Sequence, residues 1–228
     1  MFRIFDLDAP LWVFLGEVAD FVILALLWWC CCLGIITIGA STTALHYVIG
    51  KKIRKEHTYV AKDFFKSFTQ NLKQSVPLSI ILTLALISLV MYVISVVGGL
   101  YAEQQPSYLK FMLPITLFFA VEVVNFHAYT WSLLSRFDMT TKSIIKMTFF
   151  MTHRHLLTTL WNVGVAIVVV VCVIEMPFLL IVAPSGMVFG QSFMIQKLFS
   201  AYIEAKQMKE VHQEEQEKMI LEETIQRM

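Results

Sequence analysis

Five long apolar stretches with few charged side chains constrain this chain more than any other feature of its sequence. They cover approximately residues 18–38, 76–98, 109–134, 156–175 and 177–200. A helix needs about 20 apolar residues to cross the ~30 Å hydrocarbon core of a bilayer. The last stretch is the weakest, because Pro184, Gln191 and Lys197 interrupt it, and a bent span over 156–182 followed by a surface helix is the alternative. The pattern predicts an all-α, polytopic helical membrane bundle with about five transmembrane helices.

Composition supports this class of protein. Of the 228 residues, 57% are hydrophobic and only 15% are charged, whereas soluble globular chains carry about 25% charged residues. A soluble domain of this size could not cover its surface with so few charges. The balance disfavours a soluble enzyme, a disordered chain and a nucleic-acid-binding domain, and we expect no nucleic-acid partner.

The basic residues are concentrated in two of the connections between the apolar stretches. Residues 50–74 contain seven Lys and Arg, residues 136–155 contain four, and residues 99–108 and 174–186 contain none. By the positive-inside rule, the two basic connections are cytoplasmic. With an odd number of spans, the N-terminus is then predicted outside the cell and the C-terminal tail inside it.

The same two connections contain apolar residues at helical spacing among lysines. In the first these are Phe64, Phe65, Phe68 and Leu72, and in the second Ile144, Ile145, Thr148 and Phe149. Each is predicted to form an amphipathic helix at the cytoplasmic membrane interface.

We divide the chain into a transmembrane domain over 1–203 and an acidic, helical cytoplasmic tail over 204–228. The tail is predicted to be solvated, with a short coiled coil or partner-docking segment as the alternative.

One predicted span contains a stripe of polar side chains. At 100° per residue, these fall within one sector of about 80°, running toward the cytoplasmic end: Glu122, Asn125, Tyr129, Ser132 and Arg136. An ionisable side chain in the middle of a bilayer is costly, so Glu122 is a candidate functional residue. The stripe either lines a path for protons or substrate, or forms hydrogen bonds to neighbouring helices.

The sequence carries no motif for catalysis, metal binding or cofactor binding. Cys30, Cys31 and Cys32 project about 100° apart on a helix, so they are not spaced to ligate one metal ion. His153 and His155 are interpreted as interface residues. We expect no enzymatic activity, no metal and no cofactor.

A short segment at the end of the first predicted span has the features of a helix junction. Its residues are Thr37, Gly39, Ser41, Thr42 and Thr43. Glycine would let the chain turn at the inner interface, and Ser41 or Thr42 could cap the free N–H groups of the helix that follows. A structural junction explains these residues, and a ligand or partner site is the alternative.

The run from Ile38 to Val48 resembles the signature of the YesL-like family of bacterial integral membrane proteins. Similarity continues over 64–68 and 71–74, and it includes 8–11 and the pair 136–137. Gly34 stands where the family usually has proline, and the proline expected near Leu157 is absent. The family has no established activity, but its genes often accompany carbohydrate-uptake ABC transporters.

The resemblance implies an accessory role in carbohydrate uptake or utilisation. We therefore expect a non-enzymatic protein that binds a membrane partner, such as an ABC sugar transporter, through its cytoplasmic helices or tail. The alternative is a transport subunit or small permease with Glu122 on its polar path. The sequence leaves the oligomeric state and the substrate open.

Overall fold

The computed structural model describes residues 10–100 and 109–226, and helices account for the regular structure of these ranges. The seven α-helices there are α1 (Pro10–Cys32), α2 (Ile38–Ile53), α3 (Val60–Leu100), α4 (Leu109–Arg136), α5 (Thr141–Arg154), α6 (Leu156–Glu175) and α7 (Ala183–Gln226). Short 3-10 turns occupy Ile35–Thr37 and Pro177–Ile181. The predicted all-α class is confirmed.

Four of these helices are long and apolar enough to cross a bilayer. The qualifying segments are Leu11–Cys32, Val60–Gly99, Phe111–Arg136 and Leu156–Glu175. Large apolar side chains remain exposed on the outside of the bundle, as expected where lipid replaces water. Among the described helices, the fold is thus a helical membrane bundle with four such segments rather than five.

The fifth predicted span, 177–200, has different boundaries and a different character. Its first residues form a 3-10 turn, and α7 begins only at Ala183. Ser185, Gln191, Ser192 and Gln196 on α7 are buried against other helices. These inward polar residues lower the mean hydropathy of the stretch. By length and hydropathy, α7 is not among the helices that are long and apolar enough to cross a bilayer.

The main departure from the predicted spans is α2, a short helix in the centre of the bundle. Ten of its sixteen residues are buried, and it packs against α1, α3, α4 and α7. The sequence pattern predicted one span over 18–38 that led directly to a cytoplasmic connection. Instead α1 ends at Cys32, and α2 carries the chain back through the bundle.

Contacts along the helices establish their directions. Helices α1 and α2 are antiparallel, because Trp28 Nε1 donates to Thr42 Oγ1 at 3.1 Å while Lys52 Nζ lies 2.9 Å from Glu17 Oε2. Helix α3 runs back along α2, with Lys51 Nζ 2.7 Å from Asp63 Oδ2.

Helix α4 is antiparallel to α3, and α6 is antiparallel to α7. Tyr92 on α3 contacts Met112 on α4, and Gln74 reaches the carbonyl of Met139 just after α4. On the other pair, Trp161 Nε1 donates to the carbonyl oxygen of Gly190 at 2.8 Å, and His155, just before α6, lies 2.7 Å from the hydroxyl of Tyr202 further along α7.

One end of the bundle gathers the basic connections, and we call it the basic end. It holds the starts of α1, α3 and α6 and the ends of α2 and α4, and its basic residues include Lys51, Lys52, Arg54 and Arg136. The start of α1 therefore lies on the same side as 50–74, which is incompatible with the predicted opposite placement. Because α2 is one more helix that runs from one end of the bundle to the other, the number of such helices is even and not odd. The sequence pattern did not predict α2 as a separate helix, because it is short and carries inward polar residues.

The two predicted interface helices are helical, but both pack onto the bundle. The first is the initial part of α3, where Phe64 is buried against α2. The second is α5, whose N-cap Thr140 accepts a hydrogen bond from the Ser143 amide. Ile144 is buried, whereas Phe149 is exposed. Each segment thus has one face in the bundle and an exposed apolar face.

Some predictions fall on residues that the structure does not describe. The N-terminal residues 1–9 and most of the predicted turn over 99–108 lie outside the described ranges. The domain boundary after residue 203 stays a prediction, and α7 runs across it as one helix as far as Gln226.

Side-specific cysteine labelling should show the start of α1 and the α2–α3 connection on one side of the membrane. In a variant lacking the four native cysteines, Leu11→Cys and His57→Cys should react from the same side because both lie at the basic end. Met176→Cys, after α6, should react only from the other side. Labelling of positions 11 and 57 from opposite sides would contradict the topology of this fold.

Candidate functional site

The predicted polar stripe of α4 faces the inside of the bundle. Asn125, Tyr129 and Ser132 are fully buried, and Arg136 is partly buried at the basic end. Glu122 lies at the other end of the stripe, with 19% of its side chain exposed. The helical spacing therefore predicted the shared face, and the structure supplies the partners.

Asn125 and Tyr129 connect α4 to α6. Asn125 Oδ1 accepts a hydrogen bond from Asn162 Nδ2 at 3.1 Å, and Asn125 Nδ2 donates to the carbonyl of Val121 at 2.8 Å. The Tyr129 hydroxyl faces Thr158 and Thr159 on α6 but forms no hydrogen bond of standard geometry. The amide pair stabilises the α4–α6 contact where water is excluded.

Ser132 belongs to a three-helix contact centred on His46 of α2. His46 Nδ1 lies 2.9 Å from Ser132 Oγ and 3.3 Å from Ser192 Oγ on α7. The imidazole is 2% exposed. An unprotonated Nδ1 is an acceptor to which both hydroxyls can donate, so one side chain connects α2, α4 and α7.

Arg136 completes a second three-helix contact at the basic end. Arg136 Nη1 and Arg54 Nη1 donate to the same oxygen, Gln196 Oε1, at 2.6 and 2.8 Å. Arg54 also pairs with Glu56 at 2.6 Å, and this hydrogen bond lowers the pKa of the Glu56 carboxyl. The rings of Phe137 and Phe199 flank the Arg136 guanidinium. The ends of α2 and α4 are thereby attached to α7.

Glu122 stands apart from these contacts. Its Oε1 lies 3.4 Å from His153 Nε2 on α5, and the His153 side chain is 43% exposed. His155 instead points to Tyr202, with 2.7 Å between Nε2 and the hydroxyl. Burial and the neighbouring Arg154 lower the pKa of His155. The stripe thus divides into a buried group of three residues, an arginine at the basic end, and Glu122, which pairs with His153 at the α4–α5 contact.

The junction signature lies inside the bundle, and its hydroxyls do not cap α2. Ser41, Thr42 and Thr43 donate to the carbonyl four residues earlier, at 3.0, 2.8 and 2.8 Å. Thr37 donates to the carbonyls of Cys31 and Gly34. The capping prediction is wrong, because helix-internal carbonyls already satisfy these hydroxyls. Because their own helix satisfies these donors, the Ser/Thr-rich segment can pack against other helices, and Thr42 Oγ1 in addition accepts a hydrogen bond from Trp28 Nε1.

Gly39 serves close packing instead of a turn. It lies within α2, and no described glycine has a positive φ. A Cβ atom at Gly39 would lie 2.8 Å from Ser79 Cβ and from Trp131 Cη2, and 2.9 Å from the Ser75 carbonyl oxygen. Only glycine lets α2 approach both α3 and α4 this closely. The junction also lies away from the basic end, whereas the prediction placed it next to the basic connection over 50–74.

Sequence reasoning missed the residues that complete these contacts. No prediction was made for Asn162, Ser192 and Gln196, and His46 was included only as part of the signature run over 38–48. The signal available was the spacing of Ser185, Ser192 and Gln196, which fall on a similar face of one helix. Their partners could not be identified, because they come from helices distant in sequence.

The substitution Gly39→Ala should destabilise the bundle by about 1–3 kcal/mol, because the added methyl group overpacks a contact that includes backbone. Gly164→Ala is the matched control, since nothing lies within 4 Å of the corresponding Cβ. It should be neutral or stabilising by up to about 1 kcal/mol. Thermal unfolding in detergent measures both, and equal stability of the two variants would refute the close-packing role.

Comparison with known proteins gives one family match, over the region that contains α2. Residues 21–93 match the model of a family described as a protein of unknown function, DUF624. The match covers about a third of the 228-residue chain, from within α1 through α2 and most of α3. No curated protein and no solved structure matches the chain. The central helix and its junction thus lie in a segment that resembles an uncharacterised family.

Proposed function

We propose that this chain is a multi-pass protein of the bacterial plasma membrane that acts as an accessory partner of another membrane protein. The observation that carries the proposal is a groove beside α7 at the basic end, which continues onto a projecting helix. The resemblance to the YesL-like family supports a role in carbohydrate uptake or utilisation, with an ABC sugar transporter as the partner.

The positive-inside rule supports a cytoplasmic position for the basic end. Lys51, Lys52 and Arg54 lie there together with Arg136 and Arg154. In this orientation, the start of α1 and the projecting part of α7 are both cytoplasmic. A partner's cytoplasmic helices would then meet the groove directly.

The groove lies between α4, α5 and α7 and has a volume of about 530 Å³. Its floor includes Met139, Met147 and Met151, and methionine adapts its shape to different apolar partners. Three cations also line it: Arg154, Lys206 and Lys209. An apolar floor beside cations is complementary to an amphipathic helix with acidic residues.

Beyond this groove, α7 leaves the bundle. From residue 204 to 226 it extends about 35 Å at 1.5 Å per residue. Its described side chains over 204–213 are exposed, and a surface pair joins Lys206 to Glu210 at 3.4 Å. Such a polar helix gains little from burial within its own chain. Its length and exposure support a docking role for the tail.

Reversing two groove cations should weaken partner binding. Each exposed ion pair contributes up to about 1 kcal/mol, so Lys206→Glu with Lys209→Glu should reduce affinity about 10-fold or more. Lys197→Glu is the control, because it changes the same charge on an exposed part of α7 outside the groove. Affinity capture in mild detergent, with mass spectrometry, measures recovery.

Recovery of an ABC permease with wild-type protein and the control, but not with the double variant, supports the proposal. Equal recovery with all three proteins would exclude the groove as the docking site. Failure of wild-type protein to recover any transport component would exclude the accessory role.

The Glu122–His153 pair favours transport as a second candidate function. A carboxylate next to a partly exposed imidazole can exchange a proton at the edge of the bundle. If this pair carries transport, Glu122→Gln should abolish sugar uptake by the protein reconstituted alone in vesicles, while Glu210→Gln on the tail should not. No uptake by wild-type protein alone would rule this candidate out.

A further inference from the structure

A central cavity lies inside the bundle, away from the groove and the polar stripe contacts with α6. Its volume is about 390 Å³, and α1, α2, α3, α4, α6 and α7 all contribute to it. Its walls include Trp28, Leu45, Leu86, Trp131, Met187 and Gln191. Small-molecule sites have such volumes and consist mainly of apolar and aromatic side chains with a few polar groups.

The cavity opens between apolar side chains on the outside of the bundle. Trp29, Leu86 and Leu180 line it and are themselves 39%, 41% and 50% exposed. Trp29 and Leu86 belong to helices long and apolar enough to span a bilayer. A group that enters by this route comes from the hydrocarbon layer and must itself be apolar.

One wall of the cavity carries a buried hydrogen-bond donor without a partner. Gln191 is 3% exposed, and its Nε2 forms no hydrogen bond with the described residues. Leaving such a donor unsatisfied is costly. The neighbouring donor Trp28 Nε1 is already bonded to Thr42. A ligand that satisfies Gln191 must therefore present an acceptor.

The lining also limits the charge of the ligand. Among the described residues, no Asp, Glu, Lys or Arg lines the cavity. The ionisable side chains of the lining are the imidazoles of His46 and His127, so a phosphate headgroup finds no permanent counter-charge there and stays outside. The occupant thus combines an apolar body with a neutral acceptor oxygen and reaches the site from the bilayer.

We propose that the central cavity binds an acyl chain of a glycerophospholipid, whose ester carbonyl accepts a hydrogen bond from Gln191 Nε2. The chain enters between Leu86 and Leu180 and contacts the tryptophans, while the phosphate headgroup remains outside. This proposal shares with the proposed function only its location in a bilayer. It requires no partner protein and no transport.

Photo-crosslinking tests the site. The full chain is reconstituted in nanodiscs containing a phosphatidylcholine with a diazirine in one acyl chain, and labelled peptides are mapped by mass spectrometry. We expect labelling at Leu45 and Met187, because Leu45 is fully buried and lipid around the bundle cannot reach it. Labelling confined to exposed side chains would overturn the proposal.

Two variants test the entrance. Leu86→Trp should block the mouth and reduce labelling of Leu45 at least 5-fold. Ile87→Trp is the matched control, because this neighbouring residue is exposed and does not line the cavity; it should leave the labelling unchanged. Equal labelling of Leu45 in both variants would contradict entry by this route.

The hydrogen bond is tested by comparing ester-linked and ether-linked phosphatidylcholine as competitors of the probe. One hydrogen bond corresponds to an advantage of about 2- to 10-fold for the ester. Gln191→Leu should remove that advantage without loss of thermal stability, because it removes an unsatisfied donor. An ester preference that persists in Gln191→Leu, or no preference in wild-type protein, would overturn the assignment of Gln191.

This experiment is independent of partner capture. Lipid labelling without recovery of a permease would leave the cavity assigned and the accessory role excluded. Recovery of a permease without labelling of buried residues would support the accessory role and exclude the cavity as a lipid site.

Discussion

Most polar groups buried among the described apolar helices find partners within the protein, and these contacts determine how the bundle is assembled. Helix α2 occupies the centre, where its hydroxyl side chains bond to their own helix and His46 bonds to α4 and α7. At the basic end, Arg54 and Arg136 converge on Gln196. Because hydrocarbon offers no alternative partner, each of these contacts selects one arrangement of helices.

Close packing provides the other part of this specificity. Lipid tails are as apolar as leucine, so burial of apolar surface alone favours helix association weakly. The contact of Gly39 with Ser79 and Trp131 brings three helix axes together. The Asn125–Asn162 pair then connects α6 to the same group of helices. The polar stripe and the junction signature, separate in the sequence, thus belong to one packed interior.

The sequence predicted the helical class, four of the apolar segments and the inward face of α4, because each depends on composition or on local periodicity. It did not predict α2 as a separate pass, since a 16-residue helix with Ser41, Thr43 and His46 does not resemble a span. Without α2, the predicted number of helices running through the bundle was odd, which placed the start of α1 opposite the basic connections.

Of the candidate site, only the residues that share α4 could be predicted. Stripe residues share one helix, whereas Asn162, Ser192 and Gln196 meet them through tertiary contacts that periodicity cannot reveal.

The central position of α2 has a consequence for biosynthesis. His46 and its partner Ser192 are separated by 146 residues, so the ribosome has made almost the entire bundle before that hydrogen bond can form. Helix α2 must therefore wait beside α1 and α3 with one face incomplete. When α7 leaves the translocon, it covers the face of α2 that carries His46. The last helix of the bundle to be synthesised therefore completes the packing of the first hairpin, α1 and α2.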